Sequence, residues 1–189
     1  ESGNAVSTLE LNGFVTQNVS VNGTISNSIN FSLDNSLGAV LQTELVIPAN
    51  LLLSSGKLVT GNDRLLVMKD DAVWAGASVN SFVEGPMKKI GAEAFVFPVG
   101  VGGIYSPLGI SGGGNSTDEF TAEYKRGNPQ SLYGSNCENP LNHVSFVEYY
   151  LLERNTGSIM RTVTLSITEY SFSTDLENIR IAWFDQPNS

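Results

Sequence analysis

GAEAFVFPVGVGGIYSPLGIS, residues 91–111, runs an apolar stretch, Phe95-Val96-Phe97, into Pro98 and then into Gly100, Gly102 and Gly103. A strand leading into glycines begins many phosphate-cradling loops, and it also begins an ordinary turn between strands. A dinucleotide cradle needs G-x-G-x-x-G running into a helix, whose N-terminus supplies donors and a positive dipole end. Here the third glycine is missing, Ile104-Tyr105 follow instead, and Pro107 blocks a helix where one would have to propagate. A Walker loop would close on Gly-Lys-Ser/Thr, a triplet this chain lacks. The glycines read as a turn, and the flanking chain reads as sheet.

The same grammar extends toward the N-terminus. Thr8-Leu9-Glu10-Leu11 alternates and meets Asn12-Gly13; Val19-Ser20-Val21 meets Asn22-Gly23. Asn-Gly between alternating apolar residues marks a turn, because both residues tolerate positive φ. Further short runs follow: Ile29 to Leu33, Leu45 to Ile47, Leu51 to Leu53, Lys57 to Val59 and Leu65 to Met68, each broken by Asp, Asn, Pro or Gly. No window holds a helical apolar period over ten residues. Strands recurring every eight to ten residues or so fit a meander, a Greek key or a few coils of a β-solenoid.

Toward the C-terminus, Phe120, Ala122 and Tyr124 alternate with Thr121, Glu123 and Lys125, a strand with one wet face. Val144 to Leu152 (VSFVEYYLL) is apolar on both faces, as a covered central strand would be, and Val163, Leu165 and Ile167 form another row. Ile179, Ile181 and Trp183 predict a last strand with Trp183 in the core; Thr174 to Asn178 predicts at most one helical turn before it. The expected class is all-β: a β-sandwich of jelly-roll or immunoglobulin-like type in residues 81–189, preceded in residues 1–80 by further sheet or solenoid-like coils. The junction is expected near Ser81 to Gly91, unless the two parts form one continuous domain.

Composition narrows the function. Charged residues make up 15% of the 189, and ten basic against 19 acidic residues give a net charge of −9. Such a chain repels phosphate backbones, so nucleic acid is not an expected partner. Asn, Ser, Thr and Gly fill the place of charge, which suits a turn-rich extracellular protein. The single cysteine, Cys137, permits no internal disulfide. No apolar run reaches the 18 residues of a membrane span. The opening ESGNAVSTLELNG has neither a basic region nor an apolar core, so it does not read as a signal peptide. The sequons at Asn18, Asn22, Asn30 and Asn115 are of the kind that arises by chance in such a composition.

FVEGPMKKIG (82–91), FVFPVG (95–100), YSPL (105–108), EFTAEYKRGNPQ (119–130), VSFVEYYLLER (144–154), VTLSI (163–167) and LENIRIAWFD (176–185) follow one another in a distinctive order. Together they resemble a recurring module of type IX-secreted, adhesin-like surface proteins of Bacteroidota, over about residues 48–185. Tyr150 stands where that pattern usually carries Trp. The resemblance implies an outer-surface β protein, repeat-bearing or filament-like, and brings no catalytic residues.

Chemistry-bearing constellations are sparse. His143, the only histidine, has no G-x-S-x-G elbow to serve, and one His with one Cys cannot build a zinc site. Glu84 and Glu148 are the carboxylates a glycoside hydrolase would draw on, although ion pairing with Arg154, Arg161 or Arg180 is the plainer role. Oxygen-rich loops make calcium the metal to test, with Asp63, Asp70, Asp71 and Asp118 as ligands, against ordinary turn chemistry. Trp74, Tyr105 and Tyr133 lie beside glycine or polar loops, where a carbohydrate-binding module places stacking aromatics. Thr8 to Val21 is a β-prone segment that would pair within its own chain or with a neighbour's sheet edge. The expected function is a non-enzymatic structural or adhesive surface module, self-assembling through strand pairing, whose partners are neighbouring copies or surface glycans. The alternatives are a carbohydrate-binding module and a glycoside hydrolase.

Overall fold

A computed structural model describes residues 7–26 and 29–184; residues 1–6 and 185–189, at the outer limits of the expected regions, lie outside the described residues. The chain winds in coils. The first holds β1 (Ser7–Leu11) and β2 (Gln17–Val19). The second holds β3 (Ile29–Asp34), β4 (Ala39–Leu41) and β5 (Leu45–Ile47); the third, β6 (Asn50–Ser55), β7 (Leu58–Val59) and β8 (Leu66–Met68). The fourth holds β9 (Val73–Ala75), β10 (Val83–Glu84) and β11 (Met87–Ile90), and the fifth begins with β12 (Phe95–Phe97) and β13 (Val99–Val101).

Corresponding strands of successive coils pair in parallel and build three walls: β1-β3-β6-β9, β2-β4-β7-β10-β13 and β5-β8-β11. Each coil therefore advances the stack by one strand spacing, about 4.8 Å. The side-chain period of two fixes which residues face inward. The inward rows are Leu9-Phe31-Leu51-Trp74 and Leu11-Leu33-Leu53 on the first wall, and Ala39-Leu58-Val83-Val99 on the second. The third wall contributes Leu45-Leu66-Met87, and these rows, apart from the exposed Leu9 of the first coil, meet in one apolar core.

Corners need close backbone contact. Gly56 sits at φ +83°, and a Cβ there would lie 1.8 Å from Asn35 O in the coil before it. Asn35, buried in that corner, donates through Nδ2 to Val15 O and Gln17 Oε1 and accepts from Leu37 N–H.

After the fifth coil the direction of pairing changes. β14 (Ile104–Tyr105) forms a hairpin with β13 across Gly102-Gly103, as the opening stretch predicts. β15 (Leu108–Ile110) returns against β12; β16 (Glu119–Arg126) runs antiparallel to β11 and packs on β13. A short helix, α1 (Gln130–Tyr133), precedes β17 (Glu148–Thr156), which pairs with β16, and β18 (Val163–Leu165) pairs with β15.

The all-β class expected from the sequence is what forms, with solenoid-like coils through the N-terminal part. The walls run through Ser81 without a break, since β7 pairs with β10 and β8 with β11. Three local expectations are corrected. β17 starts at Glu148 and lies at the edge of its sheet rather than at its centre. Residues 174–178 form no helical turn; the one turn of 3-10 helix nearby is Glu169–Ser171. Ile179 to Trp183 form no strand, and Trp183 is 82% exposed instead of core, because alternation gives a segment the capacity to pair but no edge to pair with.

Leu33 is fully buried between Leu11 and Leu53, and Leu33→Ala should lower the free energy of unfolding by about 2–5 kcal/mol. Leu52, 44% exposed on the outer side of the same wall, should cost less than about 0.5 kcal/mol when cut to Ala. Urea unfolding midpoints measure both.

Candidate functional site

Most charged side chains with buried atoms lie where the coil stack ends. On the third wall the inward row reads Ile47-Met68-Lys89-Phe120, so a lysine occupies an apolar position and is only 1% exposed. Its Nζ donates to Lys69 O at 2.5 Å and to Glu93 Oε1, and it lies 5.3 Å from the centre of the Phe95 ring. Glu93 Oε1 also accepts Asp71 N–H at 2.7 Å. Burial opposes ionisation of Glu93, but these bonds outweigh it and hold its carboxyl below the usual range.

This cluster bears on the expected calcium ligands. Carboxylates of Asp70, Asp71 and Glu93 come within 4.8 Å of one another. Asp63 lies apart in the Gly61–Arg64 turn, and Asp118 belongs to another cluster. Glu93 was not foreseen, because nothing in its spacing separates it from any surface glutamate. The Lys89 ammonium engages the Glu93 carboxylate of this group.

The second cluster is a staple. Arg161, between β17 and β18, is buried and extends its guanidinium under the loops that follow β11 and β15. Nη1 donates to Ala92 O, Glu93 O and Ser111 O, and Nη2 to Gly91 O at 2.9 Å. Its guanidinium carbon lies 4.8 Å from the Phe120 ring centre. Asp118 Oδ2 makes no hydrogen bond and stands 3.6 Å from Nη2, so charge alone holds that oxygen. Glycines make room: a Cβ at Gly114 would lie 1.9 Å from Asp118 Oδ2, and one at Gly157 would lie 2.6 Å from its Cγ.

The third cluster is phenolic. Tyr124 Oη donates to Glu148 Oε2 at 2.6 Å, and Arg126 lies 3.5 Å from the same carboxylate oxygen. Burial, and then the bond to Glu148, push the Tyr124 hydroxyl up to about 12. Tyr150 Oη donates to Ser166 O at 2.9 Å and takes a 2.6 Å bond from Ser106; burial raises it as well. Neither expected carboxylate pairs with Arg154, Arg161 or Arg180: Glu148 uses Arg126, and Glu84 lies 3.6 Å from Lys57.

The aromatic candidates are dispersed. Trp74 lies on β9 with its ring against the core, and its indole N–H donates to Val96 O at 2.6 Å. Tyr105 stacks on Phe82 at 6.0 Å, and burial raises its hydroxyl. Tyr133, on α1, contacts Tyr149 and Phe184. No ring contact among the described residues joins any two of the three. His143 stacks on Phe146 in an exposed loop, and Cys137 is a free thiol in the 127–140 loop. No helix among the described residues is long and apolar enough to cross a membrane. No family model, curated protein or solved structure matches the chain.

Arg161→Ala leaves Asp118 buried without its counter-charge and takes a donor from four carbonyls, of which Ala92 O keeps the Gly113 N–H. It should cost about 3–5 kcal/mol in urea unfolding. Arg161→Lys should recover little of that loss, because an ammonium cannot reproduce the planar fork. A separate prediction concerns alkaline pH. Tyr124 is held at about 12 when folded against an ordinary value of 10.0, so the unfolded chain ionises first. The stability this hydroxyl contributes is complete below pH 10 and drains away as the pH rises toward 12. Absorbance titration near 295 nm should show a tyrosine lost in Tyr124→Phe that ionises last, and Tyr124→Phe should flatten the alkaline fall in stability.

Proposed function

We propose that the chain is a non-enzymatic, exported surface module whose work is structural and adhesive, of the kind its sequence resembles in Bacteroidota. The observation that carries this reading is how its ionisable side chains are used. Lys89, Glu93, Arg161, Asp118, Glu148 and Tyr124 tie strands and loops to one another instead of converging on an open cleft. Five coils in register form a rod of fixed spacing, able to hold loops at a set distance from whatever carries it. The Asn-, Ser- and Thr-rich, cysteine-poor composition fits exposure to an oxidising exterior without disulfides.

Self-assembly would use the open end of this rod. Among the described residues, β1 and β2 each pair on one side, with β3 and β4, and stand at the edges of their sheets. A second copy that adds a strand there would extend the stack. Removing β1 and β2 outright only exposes β3 and β4, so deletion is a poor probe of this edge.

Display tests the reading. Beads coated with the chain should adhere to one another or to polysaccharide-coated plates, while the chain releases no reducing sugar from a polysaccharide panel. Beads that attach to neither surface would remove the adhesive role, and hydrolysis above a blank would remove the non-enzymatic one. Leu9→Lys on the edge strand should reduce bead-to-bead attachment and leave the far-ultraviolet circular dichroism unchanged.

A further inference from the structure

A groove of about 550 Å³ crosses the outer side of the first wall, over β1, β3, β6 and β9. Its floor is an outward row in which Thr8, Asn30, Asn50 and Val73 stand on successive coils. Asn50 Nδ2 donates to Asn30 Oδ1 at 2.7 Å. The remaining groups, Asn30 Nδ2 and Asn50 Oδ1, have no partner among the described residues and offer one donor beside one acceptor. Exchanging O and N in both amides leaves the same pair of free functions. Exposed Leu52 and Val73 supply apolar surface alongside.

We infer that this face is a binding site for a neutral polysaccharide lying across the strands. The backbone groups of β3 and β6 are spent on neighbouring coils on both sides, so an added peptide strand could pair only at the β1 or β9 edge and not across this face. Recognition rests on side-chain amides and hydroxyls, and a donor beside an acceptor suits a vicinal diol. Charge selects in the same direction: among the described residues Glu10 is the single charged one bordering the groove, and the chain carries −9, which disfavours acidic polymers. Repeat length fits as well, since the strand spacing of about 4.8 Å is close to what one pyranose unit adds to a chain. Trp74, which borders this groove, is bonded to Val96, which borders a second one of about 290 Å³ over β15 and β18.

This inference rests on the adhesive reading above, supplying its target. Native gel electrophoresis of the chain through mixed-linkage β-glucan, xyloglucan and galactomannan tests it, with alginate as the acidic control. Retardation by at least one neutral polymer and none by alginate is expected. Asn50→Val, which removes the amide pair, and Ala75→Trp, which fills the groove, should each weaken binding about tenfold or more. Circular dichroism and urea midpoints verify that both variants fold; two substitutions of different kind keep the test alive if one does not. No retardation by any neutral polymer, equal retardation by alginate, or unchanged binding in folded variants would overturn the proposal. Any of these with beads that still adhere to one another would leave the adhesive module standing without this target. Release of reducing sugar by the same samples would instead remove the non-enzymatic reading itself.

Discussion

Register between coils governs this structure. Each strand of a wall gives its backbone donors and acceptors to the coil before and the coil after, so it has little freedom to slide. Once the ladder is set, every inward side chain lies on another inward side chain: Leu33 on Leu53, Leu45 on Leu66, Val83 on Val99. The requirement passes to the corners, where successive turns approach so closely that Asn35 O fills the place a side chain would take at Gly56. Apolar rows, asparagine corners and glycine contacts are three expressions of one stacking geometry.

That geometry also explains where the charges are buried. As long as the coils continue, carbonyls find amides in the next coil. Past β11 and β15 the pairing reverses, and the carbonyls of residues 91–93 and 111 turn toward one point, where Ala92 O also accepts the Gly113 N–H. A guanidinium, with five donors and no acceptor, is suited to collecting them, and Arg161 does so from a segment about seventy residues downstream of Gly91. Lys89 adds a second donor to Lys69 O, which already accepts the Ala72 N–H, and pairs with Glu93.

Much of this was legible in the sequence, and the remainder was hidden for physical reasons. Leu51-Leu52-Leu53 and Leu65 to Met68 read as strands because their apolar faces demand burial, and Gly102-Gly103 read as a turn for want of a third glycine and a helix. Alternation, however, is blind to direction. Thr8 to Leu11 looks the same whether it folds back as a hairpin or climbs into a parallel wall, and here it pairs with residues 29–33. The coil repeat was faint because the stack asks only for an apolar residue at each inward position, not for the same one. Trp183 misled for the opposite reason: its segment has the pattern of a strand and no partner edge among the described residues. Arg161 and Glu93 carried no local signal, since what makes them matter is a convergence of loops far apart along the chain. On the outer wall, Asn30 read only as part of a strand and a chance sequon until the ladder set it beside Asn50.

The in-register parallel stack has a bearing on how such a chain changes length. One coil is a complete unit, with three strands, their corners and both faces of its ladder, so gaining or losing a whole coil would lengthen or shorten the rod while every contact kept its type. A single extra residue inside a strand is a different event, since it turns the following inward side chains outward. The natural coin of variation for this architecture is the winding of about 22 residues that separates Leu9 from Phe31, and the reach of the module is then graded in steps the width of one hydrogen-bonded rung.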